Sequence, residues 1–178
     1  VNADELRRET ENRGGIFQSS NSAEVIAYLL VRERMRAGTI EDAIINAMQY
    51  MVGAYSVVVL TQGKLVAFRD PNGFRPLCIG EVDGSIMFAS ESCAFPVLGG
   101  HLIREVEPGE VVVADLGAGT FRSVPSGIKA KSSLCMFEFI YFSRSNSIID
   151  GASVDLVRQE AGRCLARRNT VEADCVIG

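Results

Sequence analysis

The first part of the chain carries apolar residues at helical spacing in three successive segments. Asn2 and Glu5 form a capping box, which predicts a first helix that ends at a pair of glycines. A second helix is predicted from Ser22 to near Gly38. Thr39 is the expected N-cap of a third helix. The apolar face of that third helix comprises Ile40, Ala43, Ile44, Ala47, Met48 and Met51.

From residue 53 onward the pattern changes to short apolar runs separated by turn residues, which is typical of strands. The predicted strands are 54–60, 65–68, 77–80, 86–89 and 110–114. Their close succession and Gly-containing turns predict a mainly antiparallel sheet system. An amphipathic helix over 154–165 and a buried strand over 175–177 then indicate the start of an α/β unit. The pattern therefore predicts an α+β domain that runs into an α/β domain.

Residues 134–144 form the most unusual stretch, an aromatic and apolar run that contains one acid and ends in Arg144. Aromatic and β-branched residues favour a pleated, covered surface, so we expect 136–142 to form a buried strand or strand-like connector. Glu138 lies inside this run, and a buried carboxylate must be paired or functional. We expect its partner to be Arg144 or a backbone donor.

Composition narrows the functional classes. The 178 residues carry a formal charge of −4 and 47% hydrophobic residues, which suits a globular core and argues against a nucleic-acid or acidic-membrane partner. No apolar stretch approaches the roughly 20 residues that span a bilayer. Because the chain begins with Val1 and ends on an apolar run, we expect it to be a fragment of a longer cytoplasmic protein.

The five cysteines are widely spaced and never form a Cys-x-x-Cys pair. This spacing is poor support for a disulfide framework or a self-contained zinc site, and reduced, mostly buried thiols are the simpler interpretation. The single histidine, His101, follows two glycines, and we expect it at a turn in a structural or surface role.

Several ordered motifs resemble the glutamine phosphoribosylpyrophosphate amidotransferases, which open purine synthesis. Residues 1–7 resemble the segment after an Asn-Gly motif of that family, and 16–26 resemble its glutamine-pocket loop. Residues 69–77, Arg-Asp-Pro-Asn-Gly-Phe-Arg-Pro-Leu, resemble a hairpin shared by several class II glutamine amidotransferases. Residues 89–95 and 104–110 extend the likeness, and 135–144 resemble the segment that joins the two domains of the phosphoribosylpyrophosphate enzyme.

The resemblance implies a class II glutamine amidotransferase fold, an N-terminal-nucleophile hydrolase with four layers in the order α/β/β/α. Residues 1–131 would be the C-terminal part of the glutaminase domain, and 132–178 the junction and the start of an α/β phosphoribosyltransferase domain. An N-terminal cysteine that precedes Val1 would release ammonia from glutamine. The ammonia would then displace pyrophosphate from phosphoribosylpyrophosphate to give 5-phosphoribosylamine. Mg²⁺ at a transferase site outside this chain and homo-oligomerisation are implied as well, and we expect this chain alone to be inactive.

The chain departs from the family at one glutamine-contacting position. The family has an aspartate that holds the substrate's α-ammonium, and Ser22 stands at that place here. A serine cannot neutralise the ammonium, so we expect weaker glutamine binding, by on the order of 1–3 kcal/mol. Asn21 or Glu24 could compensate, although Glu24 is expected to be a helix N-terminal residue favoured by the dipole. The alternative is that Ser22 is a plain helix cap.

Cys135 has two interpretations. Some members of the family carry a 4Fe-4S cluster with one cysteine ligand at this junction, and the remaining ligands would lie beyond residue 178. A cluster needs about four thiolates. Members without a cluster can also have a cysteine here, so Cys135 is either a cluster ligand or a buried structural thiol.

Two further segments bear on function. Residues 69–77 are basic and contain glycine, but the Pro-Asn-Gly sequence predicts a turn or interface, with Asp70 paired to Arg69 or Arg75, and not a phosphate site. Ser145 and Asn146 replace a Pro-Asp pair of the family, which would loosen the junction. A catalytically degenerate binding or regulatory homologue, or another class II glutamine amidotransferase, is therefore the alternative to an active enzyme.

Overall fold

The computed structural model describes residues 1–169, 171–175 and 177, and opens with three helices. These are α1 (Ala3–Glu11), α2 (Ser22–Arg34) and α3 (Ile40–Met48). Thr39 caps α3 as predicted, since its hydroxyl accepts a hydrogen bond from the Asp42 amide. Asn2 does not cap α1: its side-chain oxygen accepts from the Val52 amide at 3.0 Å, which ties the start of the chain to the end of the helical region.

The first seven strands form two antiparallel sheets. The first contains β1 (Ser56–Thr61), β2 (Lys64–Arg69), β6 (Val111–Asp115) and β7 (Thr120–Val124), in the order β1-β2-β6-β7. The second contains β3 (Cys78–Val82), β4 (Ser85–Ala89) and β5 (His101–Glu105), in the order β4-β3-β5. Neither β5 nor β7 was predicted, and His101 begins a strand as an exposed residue instead of lying in a turn.

Alternation along β2 and β6 explains the layered arrangement. Val66 and Phe68, like Val111 and Val113, pack against the helices, while the intervening residues face the second sheet. The core between the sheets comprises Ala67, Leu77, Ile79, Val106 and Val112. The helix, sheet and sheet layers of the predicted four-layer order are thus present among the described residues. The short helix α4 (Ala94–Val97) lies on the outer side of the second sheet, where the Phe95 ring contacts Gly80.

The prediction of a buried strand over 136–142 is wrong. Residues Glu138–Phe142 form a π-helix, closed by a 3.0 Å bond from the Ser143 amide to the Glu138 carbonyl. Its aromatic side chains are largely exposed, and Glu138 is its buried residue. Aromatic residues favour strands only where a neighbouring strand and a covering layer exist, and the described residues supply neither here.

The chain then forms a small hairpin and a final helix. Strands β8 (Ile148–Ile149) and β9 (Ala152–Ser153) pair and lead into α5 (Val154–Arg168), which confirms the predicted amphipathic helix. The strand predicted over 175–177 includes Val176, which lies outside the described residues. Within the described part of the chain, no helix is long and apolar enough to cross a membrane.

Residues 69–77, which we call the crossover turn, connect β2 of the first sheet to β3 of the second. The expectation of a hairpin here is therefore wrong. The Arg69 guanidinium, itself buried, donates to the carbonyls of Arg75, Val106 and Gly73 at 2.7–2.9 Å. The buried Asp70 carboxylate accepts from the amides of Asn72 and Phe74 instead of pairing with an arginine. Backbone donors and acceptors therefore satisfy both buried charges, as burial requires.

Gly73 provides a test of this turn. It has a φ of +58°, and a Cβ there would lie 2.8 Å from Pro108 Cγ and 3.2 Å from Arg69 Cζ. Gly73→Ala should lower the free energy of unfolding by roughly 2–4 kcal/mol, since backbone strain and overpacking add. Chemical denaturation measures the change.

Gly63→Ala is the matched control, because Gly63 also has a positive φ (+77°) but its Cβ would meet no atom within 4 Å. It should cost only about 1–2 kcal/mol, the strain of the backbone alone. Equal losses in the two variants would show that the crossover turn is not tightly packed around Gly73.

Candidate functional site

The first candidate site is the loop that leads into α2. Asn21 caps this helix, because its side-chain oxygen accepts from the Ala23 amide at 2.9 Å. The interpretation of Ser22 as the cap is therefore wrong. Ser22 is the first residue of α2 and is exposed, and its hydroxyl forms no hydrogen bond within the described residues. It is left available at the positively polarised end of the helix.

Glu24 organises the loop in front of Ser22. Its carboxylate accepts hydrogen bonds from the Gln18 amide at 2.8 Å, the Ser19 amide at 2.9 Å and the Ser19 hydroxyl at 2.7 Å. The bonds from the Gln18 amide and the Ser19 hydroxyl lower the pKa of Glu24. Glu24 does lie in the first turn of α2 as expected, but its main contacts are with the preceding loop.

Two aromatic residues hold the start of the same loop. The Tyr28 hydroxyl donates to the Ile16 carbonyl at 2.6 Å, and the rings of Tyr28 and Phe17 are 4.7 Å apart. From α1, the Arg7 guanidinium carbon lies 4.1 Å from the centre of the Phe17 ring. The loop is thus held by both helices, and this local arrangement can present the exposed, uncharged hydroxyl of Ser22 to a ligand, with that of Ser20 nearby.

The second candidate site is the junction, which begins as an extended segment along the crossover turn. Amides of the segment donate to carbonyls of the turn at 2.7–3.3 Å. The pairs are Lys131 with Pro71, Ser133 with Asn72, and Cys135 with Phe74. The turn therefore does serve as an interface, as predicted, and its partner is the departing chain itself.

Glu138 is the buried acid of this junction, and its partner is not Arg144. Its Oε1 lies 2.7 Å from Arg75 Nε, and its Oε2 accepts from the Ser143 hydroxyl at 3.1 Å. Arg75 also places its guanidinium carbon 4.4 Å from the centre of the Phe142 ring. An acid within an apolar run indicates that Glu138 needs a partner. The sequence pattern cannot identify that partner as Arg75, because Arg75 is 63 positions away in the chain.

The second sheet fixes the next part of the junction. Glu91 accepts from the Arg144 amide at 2.8 Å and the Ser147 hydroxyl at 2.7 Å. The Ser92 hydroxyl accepts from the Ile148 amide at 2.7 Å. Sequence reasoning missed these roles of Glu91 and Ser92, since acidic and hydroxyl residues after a strand are also typical of solvent-exposed turns.

Comparison with known proteins places this geometry in a family. A model of the glutamine amidotransferase domain matches residues 1–96, which is more than half of the chain. The chain belongs to the glutamine amidotransferase domain family. Its fold is that of a class II glutamine amidotransferase.

Several relatives of this amidotransferase domain extend the match. The amidophosphoribosyltransferase of Methanocaldococcus jannaschii is 41% identical over 99% of this chain and 40% of its own length. The chloroplastic amidophosphoribosyltransferase 2 of Arabidopsis thaliana is 40% identical over 99% of this chain and 31% of its own length. The solved glutamine phosphoribosylpyrophosphate amidotransferase of Bacillus subtilis, complexed with ADP and GMP, superposes with a TM-score of 0.88 at 40% identity, covering 97% of this chain and 37% of that protein. The chain thus spans about a third to two fifths of the length of these relatives.

The position of Cys135 bears on whether this chain could help to hold an iron–sulfur cluster. Cys135 is half-buried at the junction, and its backbone forms the bond to Phe74. Among the described residues, no group of three or more His, Cys, Asp or Glu side chains could hold a metal ion. Cys135 could therefore contribute one thiolate at most, and three further ligands would have to come from elsewhere.

Glu24 generates a pH prediction. Its folded-state pKa is lowered, so its bonds to the loop are fully present above the ordinary glutamate pKa and are lost as pH falls through the lowered value. Carboxyl-detected NMR should show Glu24 titrating below the ordinary glutamate pKa, with the amide shifts of Gln18 and Ser19 following the same curve. Amide shifts that do not change with the Glu24 carboxyl would contradict these contacts.

Proposed function

We propose that this chain is part of an amidophosphoribosyltransferase, the enzyme that opens purine nucleotide synthesis. The observation that carries the proposal is the length of the match: the domain model covers 1–96, but relatives of that name match nearly all 178 residues, including the junction. Another class II glutamine amidotransferase would share the glutaminase domain. The junction is the part that distinguishes such an enzyme from an amidophosphoribosyltransferase.

In the proposed reaction, a cysteine nucleophile outside these 178 residues hydrolyses the side-chain amide of glutamine and releases glutamate and ammonia. The ammonia nitrogen bonds to the ribose C1 of phosphoribosylpyrophosphate, and pyrophosphate leaves as 5-phosphoribosylamine forms. Cys78 does not suit the nucleophilic role, since burial raises the pKa of its thiol to about 12.

The part of this chain closest to the proposed glutamine site is the loop before α2. Glu24, Tyr28 and Arg7 fix the loop, and Ser22 supplies the exposed hydroxyl that would meet the α-ammonium of the substrate. The Mg²⁺ of the transferase site would be held by residues outside these 178, as the resemblance to the family implies.

The second half of the proposal is a transferase domain that starts within 132–178. Helix α5 supports it: of its 15 residues Val154 is buried, while Leu156 and Leu165 are each 63% exposed. A helix of this length is marginal in water without a covered apolar face, so further polypeptide is needed to cover it. Homo-oligomerisation and a cytoplasmic location belong to the same proposal.

A degenerate homologue is the second candidate, favoured by Ser22 and by the Ser145-Asn146 pair. The structure weakens the second of these reasons. The turn at 144–147 closes through a 3.0 Å bond from the Ser147 amide to the Arg144 carbonyl, and Ser147 also bonds to Glu91. The loss of proline and aspartate is therefore compatible with an ordered turn.

The proposed activity is tested on the native gene product with saturating glutamine, phosphoribosylpyrophosphate and Mg²⁺. We expect glutamate, pyrophosphate and phosphoribosylamine in equal amounts, and no glutamine hydrolysis above background from the 178-residue chain alone. A native protein that binds glutamine but releases no glutamate would support the degenerate homologue instead. Glutamate release by the 178-residue chain would place a nucleophile within it.

Ser22 supplies a separate test. Ser22→Asp in the native protein should lower the KM for glutamine by between about fivefold and a hundredfold, because a carboxylate would pair with the substrate ammonium. Ser20→Asp is the matched control, since it adds the same charge to the same exposed loop but two positions earlier, outside the helix. An equal effect of both variants, or none from Ser22→Asp, would show that Ser22 does not face the substrate.

A further inference from the structure

The Arg75–Glu138 pair is a buried acid held by a long-range partner at the boundary between two parts of the fold. Glu138 is 2% exposed, and Arg75 approaches it at 2.7 Å from the crossover turn. The Arg75 side chain is 48% exposed, so solvent screens the pair and its contribution to stability is small. Its specific geometry is therefore the property to explain.

The main chain on the arginine side of the pair has a fixed position. The Arg75 carbonyl accepts from Arg69 Nε at 2.8 Å, and the same Arg69 guanidinium binds Gly73 and Val106. Arg75 is thus anchored to the end of β2 and to the segment after β5. These bonds fix the main chain at Arg75, and its side chain extends from there to Glu138.

The glutamate side leads toward α5. Glu138 begins the π-helix, and the Arg158 side chain of α5 donates to the carbonyls of Phe139 and Ser143 at 2.6 and 2.7 Å. Single π-helical turns are rare and occur frequently at functional sites. A continuous set of contacts therefore runs from the crossover turn through Arg75 and Glu138 to α5.

We propose that Arg75 and Glu138 are positioning residues that couple glutamine hydrolysis to phosphoribosylamine formation, by setting the orientation of the π-helix and α5 relative to the two sheets. The proposal rests on the proposed function. Neither residue touches a reacting atom in this account. Their effect is on the yield of phosphoribosylamine per glutamate released, which depends on how the two reaction sites face each other.

The test measures three rates of the native protein and of Glu138→Gln: glutamate release, phosphoribosylamine formation from glutamine, and phosphoribosylamine formation from added ammonia. The substituted amide has the same shape as the carboxyl but cannot form the ion pair. We expect the yield of phosphoribosylamine per glutamate to fall by between about twofold and thirtyfold, with the ammonia-dependent rate retained. Arg75→Lys, which keeps the charge but loses the planar contact with Phe142, should lower the yield less.

Glu41→Gln is the matched control. Glu41 is also a buried carboxylate with cationic partners at 2.7 Å, Lys64 and Arg122, but it joins α3 to the first sheet, away from the junction. It should lower the thermal midpoint of unfolding and leave the yield unchanged.

The outcomes are distinct. An unchanged yield in Glu138→Gln, or a parallel fall of all three rates together with the thermal midpoint, would overturn the coupling role and leave the pair as a structural contact. An equal loss of yield in Glu41→Gln would do the same. If the unsubstituted protein forms no phosphoribosylamine even from ammonia, the proposed function itself fails, and the coupling proposal fails with it.

Discussion

The rest of the structure depends on how the crossover turn satisfies two adjacent buried charges. Arg69 and Asp70 are 3% and 0% exposed, and neither forms an ion pair with the other. Arg69 instead donates to three carbonyls, and Asp70 accepts from backbone amides. Both charged side chains therefore fix the path of the main chain. An uncompensated buried charge is costly, and the turn therefore has few alternative conformations.

This constraint has consequences for both candidate sites, but to different degrees. The loop before α2 is a local structure, held by side chains of α1 and α2 that lie no more than 12 positions away in the chain. The junction is non-local: it takes its backbone partners from the crossover turn, and its buried acid takes a partner from Arg75. A substitution near Ser22 should therefore disturb the loop and α2 alone, whereas one at the turn acts on the geometry between the parts of the fold.

Local signals explain which features the sequence could predict. The Thr39 cap, the apolar face of α3 and the short strands joined by glycines follow from spacing and turn chemistry, and they were found. Strands β5 and β7 were missed, since their mixture of charged and apolar residues gives no clean alternation. The π-helix replaces the predicted strand because aromatic residues favour strands only where a covering layer exists, and its aromatic side chains are largely exposed.

The crossover turn also shows that local signals do not predict long-range contacts. Its turn residues were evident, yet only the three-dimensional structure shows that it joins two sheets and receives the junction. For the candidate sites, the resemblance to a family directed attention to Ser22 and Cys135. The partners of Glu24, Glu91 and Glu138 depended on the folded chain, because the pairing of a carboxylate with a distant donor leaves no periodic signal.

The most direct test of this account is native-state hydrogen exchange at the amides of Lys131, Ser133 and Cys135, which donate to the crossover turn. If the turn unites the junction with the sheets, the opening free energies of these amides should equal those of core amides such as Val66 and Val112. Fast exchange at all three, while the sheet amides stay protected, would show that the junction opens independently and would contradict the account.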